Sequence, residues 1–314
     1  MCNSAMDVPH KTPMFSNKIA FVVATKDRPK ELRHMLGSLD RQTHRPDQII
    51  IIDAGTQPLE EVLRSFPELN LTYSTMFPPS ATKQRNFGLT KIDPEITHVG
   101  FLDDDVELDV KAIEKLMLFW EDAPHQVAGV AMNMVNHPDL VASSLKYLPL
   151  TQWLGLYSQI KGDVLPSGFQ TMIGKVKKNS YVKWLPTGAV VWKKKIFEDY
   201  QFDEWFREYS YLEDVDFSYR VGKKFRLMVI GDAKYYHFPA GEGRGSDYRF
   251  GMREVDNRLY LVKKYRELSL LKCYLALLVR MMMNLGLFLR QQKFNYFQRA
   301  LGNASGLMSS LFKL

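Results

Sequence analysis

The sequence predicts an α/β fold built on a mostly parallel sheet flanked by helices. Apolar runs without alternation, helical repeats between them and acidic or glycine-bearing turns where the runs stop carry that expectation. Runs that do not alternate are expected when both faces of a sheet are covered. Strands alternating with helices at this spacing favour parallel pairing. With 314 residues, 46% hydrophobic and 25% charged, the chain can bury a sizeable core. One large domain with an appendage suits that length better than two equal ones.

Residues 1–17 lack the apolar core of a signal peptide and read as a flexible polar arm. The main domain is expected over 18–247. Residues 18–24 are a β-rich run, and Thr25-Lys26-Asp27-Arg28-Pro29 turns the chain. Pro29 suits the first turn of a helix, which Leu32, Met35, Leu36 and Leu39 continue at helical spacing. A fully apolar strand at 48–52 ends in Asp53-Ala54-Gly55-Thr56. A helix at about 59–65, a strand at 69–74 and a helix at 80–90 follow. The next apolar run stops abruptly in Asp103-Asp104-Asp105, before a helix at about 110–120.

The second half is less regular. Residues 127–132 read as a strand, and 133–178 are harder to place. Residues 181–192 read as two strands about Pro186-Thr187-Gly188. An aromatic-rich loop at 202–211 precedes Glu213-Asp214-Val215-Asp216, which opens a helix to about Lys223. Two short strands, 226–230 and 233–237, a glycine-rich loop at 241–245 and a long helical pattern from Tyr248 complete the chain.

Composition narrows the partners. A net charge of +7 and a pI near 9.1 favour anions such as nucleotide phosphates or acidic lipid. The charge would also permit nucleic acid, but no recognition motif for it is visible. Cys2 and Cys273 lie far apart in sequence, so no disulfide framework is indicated and a reducing compartment fits. Three adjacent carboxylates at a strand end repel one another and call for a cation. A divalent metal holding a phosphate is the natural one. The alternative is that they cap and charge the following helix.

Taken in order, VVATKDRP, IIIIDAGT, SATKQRNFGL, FLDDDVE, PTGAVVWKKKIF and YLEDVDFSYRV give a specific pattern. The chain resembles the family 2 glycosyltransferases over about 18–239. The resemblance implies a GT-A fold, a nucleotide-diphosphate sugar donor, a divalent metal (Mn²⁺ or Mg²⁺) and inversion at the anomeric carbon. It implies a base-binding role for Asp53, beside Thr25 and Asp27 on the neighbouring strand end, and a base or diphosphate contact for Arg85. Lys83, two residues before Arg85, is either a surface charge or a second such contact. Asp103 would face the ribose or a metal-bound water, and Asp105 would bind the metal directly. Asp104 between them completes the expected nucleotide-binding set. His237 matches a histidine that joins the metal in several members. Glu213-Asp214 matches an acid pair whose aspartate is the catalytic base, with Asp216 a structural or acceptor-binding second choice.

The resemblance also places Pro186-Thr187-Gly188-Ala189 below the donor sugar, where Gly188 permits close backbone approach. Trp184 could stack on a sugar face, although core packing is the commoner fate of tryptophan. The glycine-rich loop has no phosphate-binding fingerprint. It reads as a lid that could bring Arg244 or Arg249 onto the diphosphate.

Residues 248–314 are expected to be a helical, membrane-associating segment. The stretch 268–289 is long enough to span a bilayer, but Lys272 and Arg280 argue against that. Ser269, Lys272, Ala276, Arg280 and Asn284 form a narrow polar stripe; Tyr274, Leu275, Leu278, Met281, Met282, Leu285 and Leu289 occupy the remainder. That is an amphipathic helix suited to a membrane surface. The alternative is a core or homo-oligomer helix. The combined expectation is a transferase at the cytoplasmic face of a membrane, using a UDP- or dTDP-sugar and a glycan or lipid-linked acceptor in polysaccharide assembly. A sugar-nucleotide pyrophosphorylase would need a glycine-rich loop after the first strand, which VVATKDRP lacks. A non-catalytic nucleotide-binding scaffold would have no need of intact acidic motifs.

Overall fold

The protein is described by a computed structural model covering residues 15–137, 149–207, 210–239 and 246–312. The strands β1 (Ile19–Thr25), β2 (Gln48–Asp53), β3 (Leu71–Thr75) and β4 (His98–Leu102) lie parallel in the order β3-β2-β1-β4. The helices α1 (Pro29–Asp40), α2 (Glu60–Arg64) and α3 (Ala81–Leu89) connect them. The lack of alternation in β1 and β2 has its expected cause. Phe21, Val23, Ile49 and Ile51 share one core with Leu32, Met35, Leu36 and Leu39 of α1. Ala20, Val22, Ile50 and Ile52 face a second core on the opposite side.

Beyond β4 the sheet is mixed, which the helix–strand alternation of the first half does not foretell. β5 (Val106–Leu108) is followed by α4 (Ala112–Glu121), β6 (Val127–Met134), α5 (Pro149–Trp153) and β7 (Ser180–Val182). Then come β8 (Ala189–Lys193), α6 (Ile196–Asp199), α7 (Glu213–Gly222) and β9 (Arg226–His237). β8 runs antiparallel between β4 and β6, while β6 and β9 are parallel. The runs at 226–230 and 233–237 are one strand. The ladder with β6 slips at Met132/Asn133, and Asn179 Oδ1 accepts from the Gly231 amide, which carries the chain through. β7 and β5 pair antiparallel with successive parts of β9. The three-residue β5 was not expected from the sequence, and it removes the capping alternative: the acidic triplet is followed by a strand, not by α4.

The last helices are α8 (Asp247–Lys264), α9 (Leu270–Gln291) and α10 (Phe294–Leu311). α8 packs directly on the sheet core. Leu261 and Tyr265 join the second sheet core. Asn257 Nδ2 donates to the Tyr211 carbonyl at 2.6 Å, and Arg258 donates to the Tyr211 hydroxyl at 2.9 Å. α8 and α10 touch backbone to backbone at Gly251 and Gly302, where a Cβ on Gly302 would come to 2.0 Å from the Tyr248 carbonyl. Glu254, almost wholly buried, accepts from Arg280 of α9 and from Arg299 and Asn303 of α10. The polar stripe of α9 is therefore turned inward: Asn284 donates to Asn303 at 2.9 Å, and Leu271, Leu278, Met282 and Leu289 face out.

Candidate active site

β1, β2 and β4 end side by side, so the turns that follow them meet at the carboxyl edge of the parallel half-sheet, where open α/β folds bind ligands. Asp27, with φ +53°, accepts at Oδ1 from the Thr56 and Gln57 amides. These contacts hold its carboxyl below the usual aspartate range, the Thr56 amide most of all. Gly55 is required beside it, because a Cβ there would come to 2.5 Å from the Asp27 nitrogen. Asp53 is buried and accepts from the Gly55 amide at 2.7 Å and from the Tyr73 hydroxyl at 3.1 Å. Gln84 of α3 donates to the carbonyls of Thr25 and Ile52, closing the ends of β1 and β2.

The three acids diverge. Asp104 is buried, and it accepts from Thr25 Oγ1 at 2.7 Å and Arg28 Nη1 at 2.9 Å. Burial pushes its carboxyl up to about 6 despite the facing Arg28. Thr25 and Asp104 thus bond to one another beneath the site, and Asp27 Oδ1 is engaged with its own loop. Asp103 and Asp105 project to one side with His237, their ligand atoms all within 4.8 Å of one another. His237 Nε2 is 3.0 Å from Asp105 Oδ1. Asn136 fixes the histidine backbone from both sides, accepting from its amide at 2.9 Å and donating to its carbonyl at 2.7 Å. Two carboxylates and one imidazole suit Mn²⁺, with Mg²⁺ favouring the oxygens alone. The group that could hold a metal thus sets Asp103 beside the expected Asp105 and His237.

Arg85 links this set to α7. Its guanidinium is buried, donates to Glu213 at 2.8 Å and Asp103 at 3.3 Å, and lies over the Phe202 ring. Asn86 holds Phe202 there, donating to its carbonyl and accepting from its amide. The chain enters α7 through Leu212 at φ +76°, a left-handed conformation that costs a branched side chain energy and is found at constrained sites. Glu213 is buried against Arg85, while Asp214 beside it keeps part of its surface exposed. Burial raises both carboxyls. For Glu213 the neighbouring Asp214 charge adds to the rise, and Arg85 opposes it. For Asp214 the Val215 amide, at 2.8 Å, holds part of the rise back.

Other expected site residues separate from the cleft. Asp216 is fully buried and takes Tyr265 Oη at 2.6 Å, Lys264 Nζ at 2.8 Å and Arg220 Nε at 3.1 Å. It locks α7 to α8 and has no face left for an acceptor. Trp184 is buried in the second core and donates to the Thr171 carbonyl, so it does not stack on a sugar. Gly188 does adjoin the site: its carbonyl accepts from the Asp103 amide, and a Cβ would lie 3.1 Å from Asp103 Oδ2. Lys83 is half-buried on α3. Arg249 is exposed in the first turn of α8, and Arg244 with the rest of the proposed lid lies outside the described residues. Arg28, Gln84 and Asn136 were missed. Arg28 stood within a quoted turn, but nothing in the sequence couples Asn136 to His237. A cavity of about 690 Å³ lined by His98, Trp120 and Lys193 lies at the opposite end of β4 from Asp103, remote from these acids.

Residues 20–174 match the model of glycosyl transferase family 2. No curated protein sequence matches the chain. Among solved structures, S. aureus TarS superposes with a TM-score of 0.51 at 18% identity, covering 83% of this chain and 42% of that one. The chain thus spans less than half of TarS. The 1–349 portion of S. aureus TarS in complex with UDP-GlcNAc gives 0.53 at 17% identity, covering 82% and 70%. The mannosyltransferase PcManGT from Pyrobaculum calidifontis in complex with GDP-Man and Mn²⁺ gives 0.56 at 11% identity, covering 97% and 90%. At such identities the structural likeness speaks for the fold alone.

Proposed function

We propose that this chain, which matches the model of glycosyl transferase family 2 over residues 20–174, transfers a sugar from a nucleoside-diphosphate donor to a hydroxyl acceptor with inversion. The observation that carries this reading is the convergence of Asp103, Asp105 and His237, with Arg85 tying Asp103 to the Glu213-Asp214 pair. Mn²⁺ or Mg²⁺ held by those three side chains would neutralise charge on the departing diphosphate.

Asp53, at the end of β2, has acceptor capacity left for the imide N–H of a uracil or thymine base, which favours a UDP- or dTDP-sugar. Asp214 accepts the proton of the acceptor hydroxyl as its oxygen forms a bond to the anomeric carbon. The bond from that carbon to the diphosphate oxygen breaks, and its electron pair leaves with the nucleoside diphosphate. Attack from the face opposite the leaving group inverts the configuration. Glu213 orients Arg85, and Arg85 holds Asp103 in place. A raised carboxyl suits Asp214 to this work, because a general base is most effective with a pKa near the working pH. A glycan or lipid-linked glycan at the inner face of a membrane, in cell-surface polysaccharide assembly, is the acceptor class that the basic, apolar C-terminal helices favour.

Incubation with a panel of nucleotide sugars and simple hydroxyl acceptors, with product configuration read by NMR, tests the reading. Release of nucleoside diphosphate with an inverted glycoside supports it; a retained configuration, or no turnover with any donor, contradicts it.

A further inference from the structure

We infer that the outer face of α9 and α10 is a docking surface for an anionic lipid bilayer, lying in the interface and not crossing it. Large apolar side chains are exposed at helical intervals on both helices. On α9 they are Leu271, Leu278, Met282 and Leu289, of which Leu289 is 70% exposed. On α10 they are Phe294, Leu301 and Met308, seven residues apart each time. Spacings of four and seven keep each set on one face of its helix.

The inward polar stripe gives this arrangement its meaning. A water-facing helix buries its apolar side and exposes its polar one. Here Arg280 and Asn284 turn inward onto Glu254 and Asn303 beside the buried Cys273 and Leu277, and a further apolar face is left outside. By length and composition α9 could cross a membrane. Its bonds to Glu254 of α8, and the bonds of α8 to Tyr211, tie it along the catalytic domain instead.

Charge identifies the occupant. Residues 268–314 contain no aspartate or glutamate, although the chain has 35 acids in all. Arg290 and Lys293 stand exposed beside the apolar stripe, where α9 passes to α10. Lys272 lies 5.2 Å over the ring of Trp153, which is itself 57% exposed. Tryptophan and basic residues bordering an apolar face match the headgroup layer of an anionic membrane. A second copy docking by the same face would bring two acid-free basic margins together. The surface is independent of the transferase reading, since it uses none of the cleft residues.

Flotation of the full-length protein with phosphatidylcholine vesicles, with and without about one third phosphatidylglycerol, tests the inference. The wild type should float with the anionic vesicles and lose much of that binding in neutral vesicles or high salt. Met282→Glu/Leu289→Glu should weaken binding at least about tenfold. Arg290→Glu/Lys293→Glu should weaken it by about fivefold or more per charge, with an unchanged melting curve. The exposed charge pair carries the test if the apolar pair fails to fold. A wild type that stays in the lipid-free fraction, or folded variants that float unchanged, would overturn the inference. So would a lipid-free dimer, indifferent to vesicles, that Met282→Glu/Leu289→Glu splits; the occupant would then be a second copy.

Discussion

His237 Nε2 stands 3.0 Å from Asp105 Oδ1 because Val106 and His237 are paired residues of β5 and β9. Residues far apart in sequence are thus held together by a three-residue strand immediately after the acidic triplet. The same two atoms can share a proton or a cation. His237→Ala should therefore weaken Mn²⁺-dependent activity by about 10-fold or more, with a smaller loss in Mg²⁺, which prefers oxygen ligands. Activity titrated against each metal checks this; equal losses in both would separate His237 from the metal.

Asp214→Asn should lower kcat by about 10²–10⁴-fold and leave donor affinity close to that of the wild type. The amide keeps the size of the side chain but cannot take the acceptor's proton. Steady-state kinetics with a donor-binding titration separates the two effects. Normal turnover would assign the base to another group.

The rate should also depend on pH with a definite sign. Burial raises the Asp214 carboxyl above the usual aspartate range, so its working, deprotonated form is lost as pH falls through that raised value. The acid limb of kcat should inflect well above the ~3.9 of a free aspartate, and Asp214→Asn should abolish that limb. A wild-type profile flat down to that free value would remove Asp214 from the chemistry.

Asp216→Ala should act on stability. Removing a fully buried carboxylate takes the acceptor from the Tyr265 hydroxyl and one of two partners each from Lys264, which keeps Asp203, and Arg220, which keeps the Gln201 carbonyl, at a cost of about 1–3 kcal/mol. Denaturant unfolding measures this directly. A folded, stable variant without activity would return Asp216 to the active site.

Gly302→Ala should loosen the helical end. Its Cβ would meet the Tyr248 carbonyl, which belongs to backbone and cannot rotate away. A loss of about 1–3 kcal/mol is expected for such overpacking, seen as a lower melting temperature.

The parallel half of the fold was legible because β1 and β2 are apolar on both faces and end in turns of distinctive residues. Asp103, Asp105, Arg85 and Glu213 stand out in local motifs, and the structure brings them together. What escaped depends on long-range pairing. β5 is too short to show periodicity, and the Asn136 bonds to His237 bridge 101 residues. For Trp184 and Asp216 the sequence left two roles open, and packing decides: Trp184 turns into the core and Asp216 ties α7 to α8. In α9 the periodicity was correct, and the partner of each face was set by Glu254 on another helix.

The most direct test is calorimetric titration of UDP into the wild type and Asp105→Ala, each with and without Mn²⁺. The wild type should bind the nucleotide far more tightly with the metal. The variant should lose that metal dependence while unfolding at a similar temperature, because Asp105 sits at a strand end and outside both sheet cores. Equal Mn²⁺-dependent affinity in the two proteins would contradict a metal-assisted donor site at Asp103, Asp105 and His237.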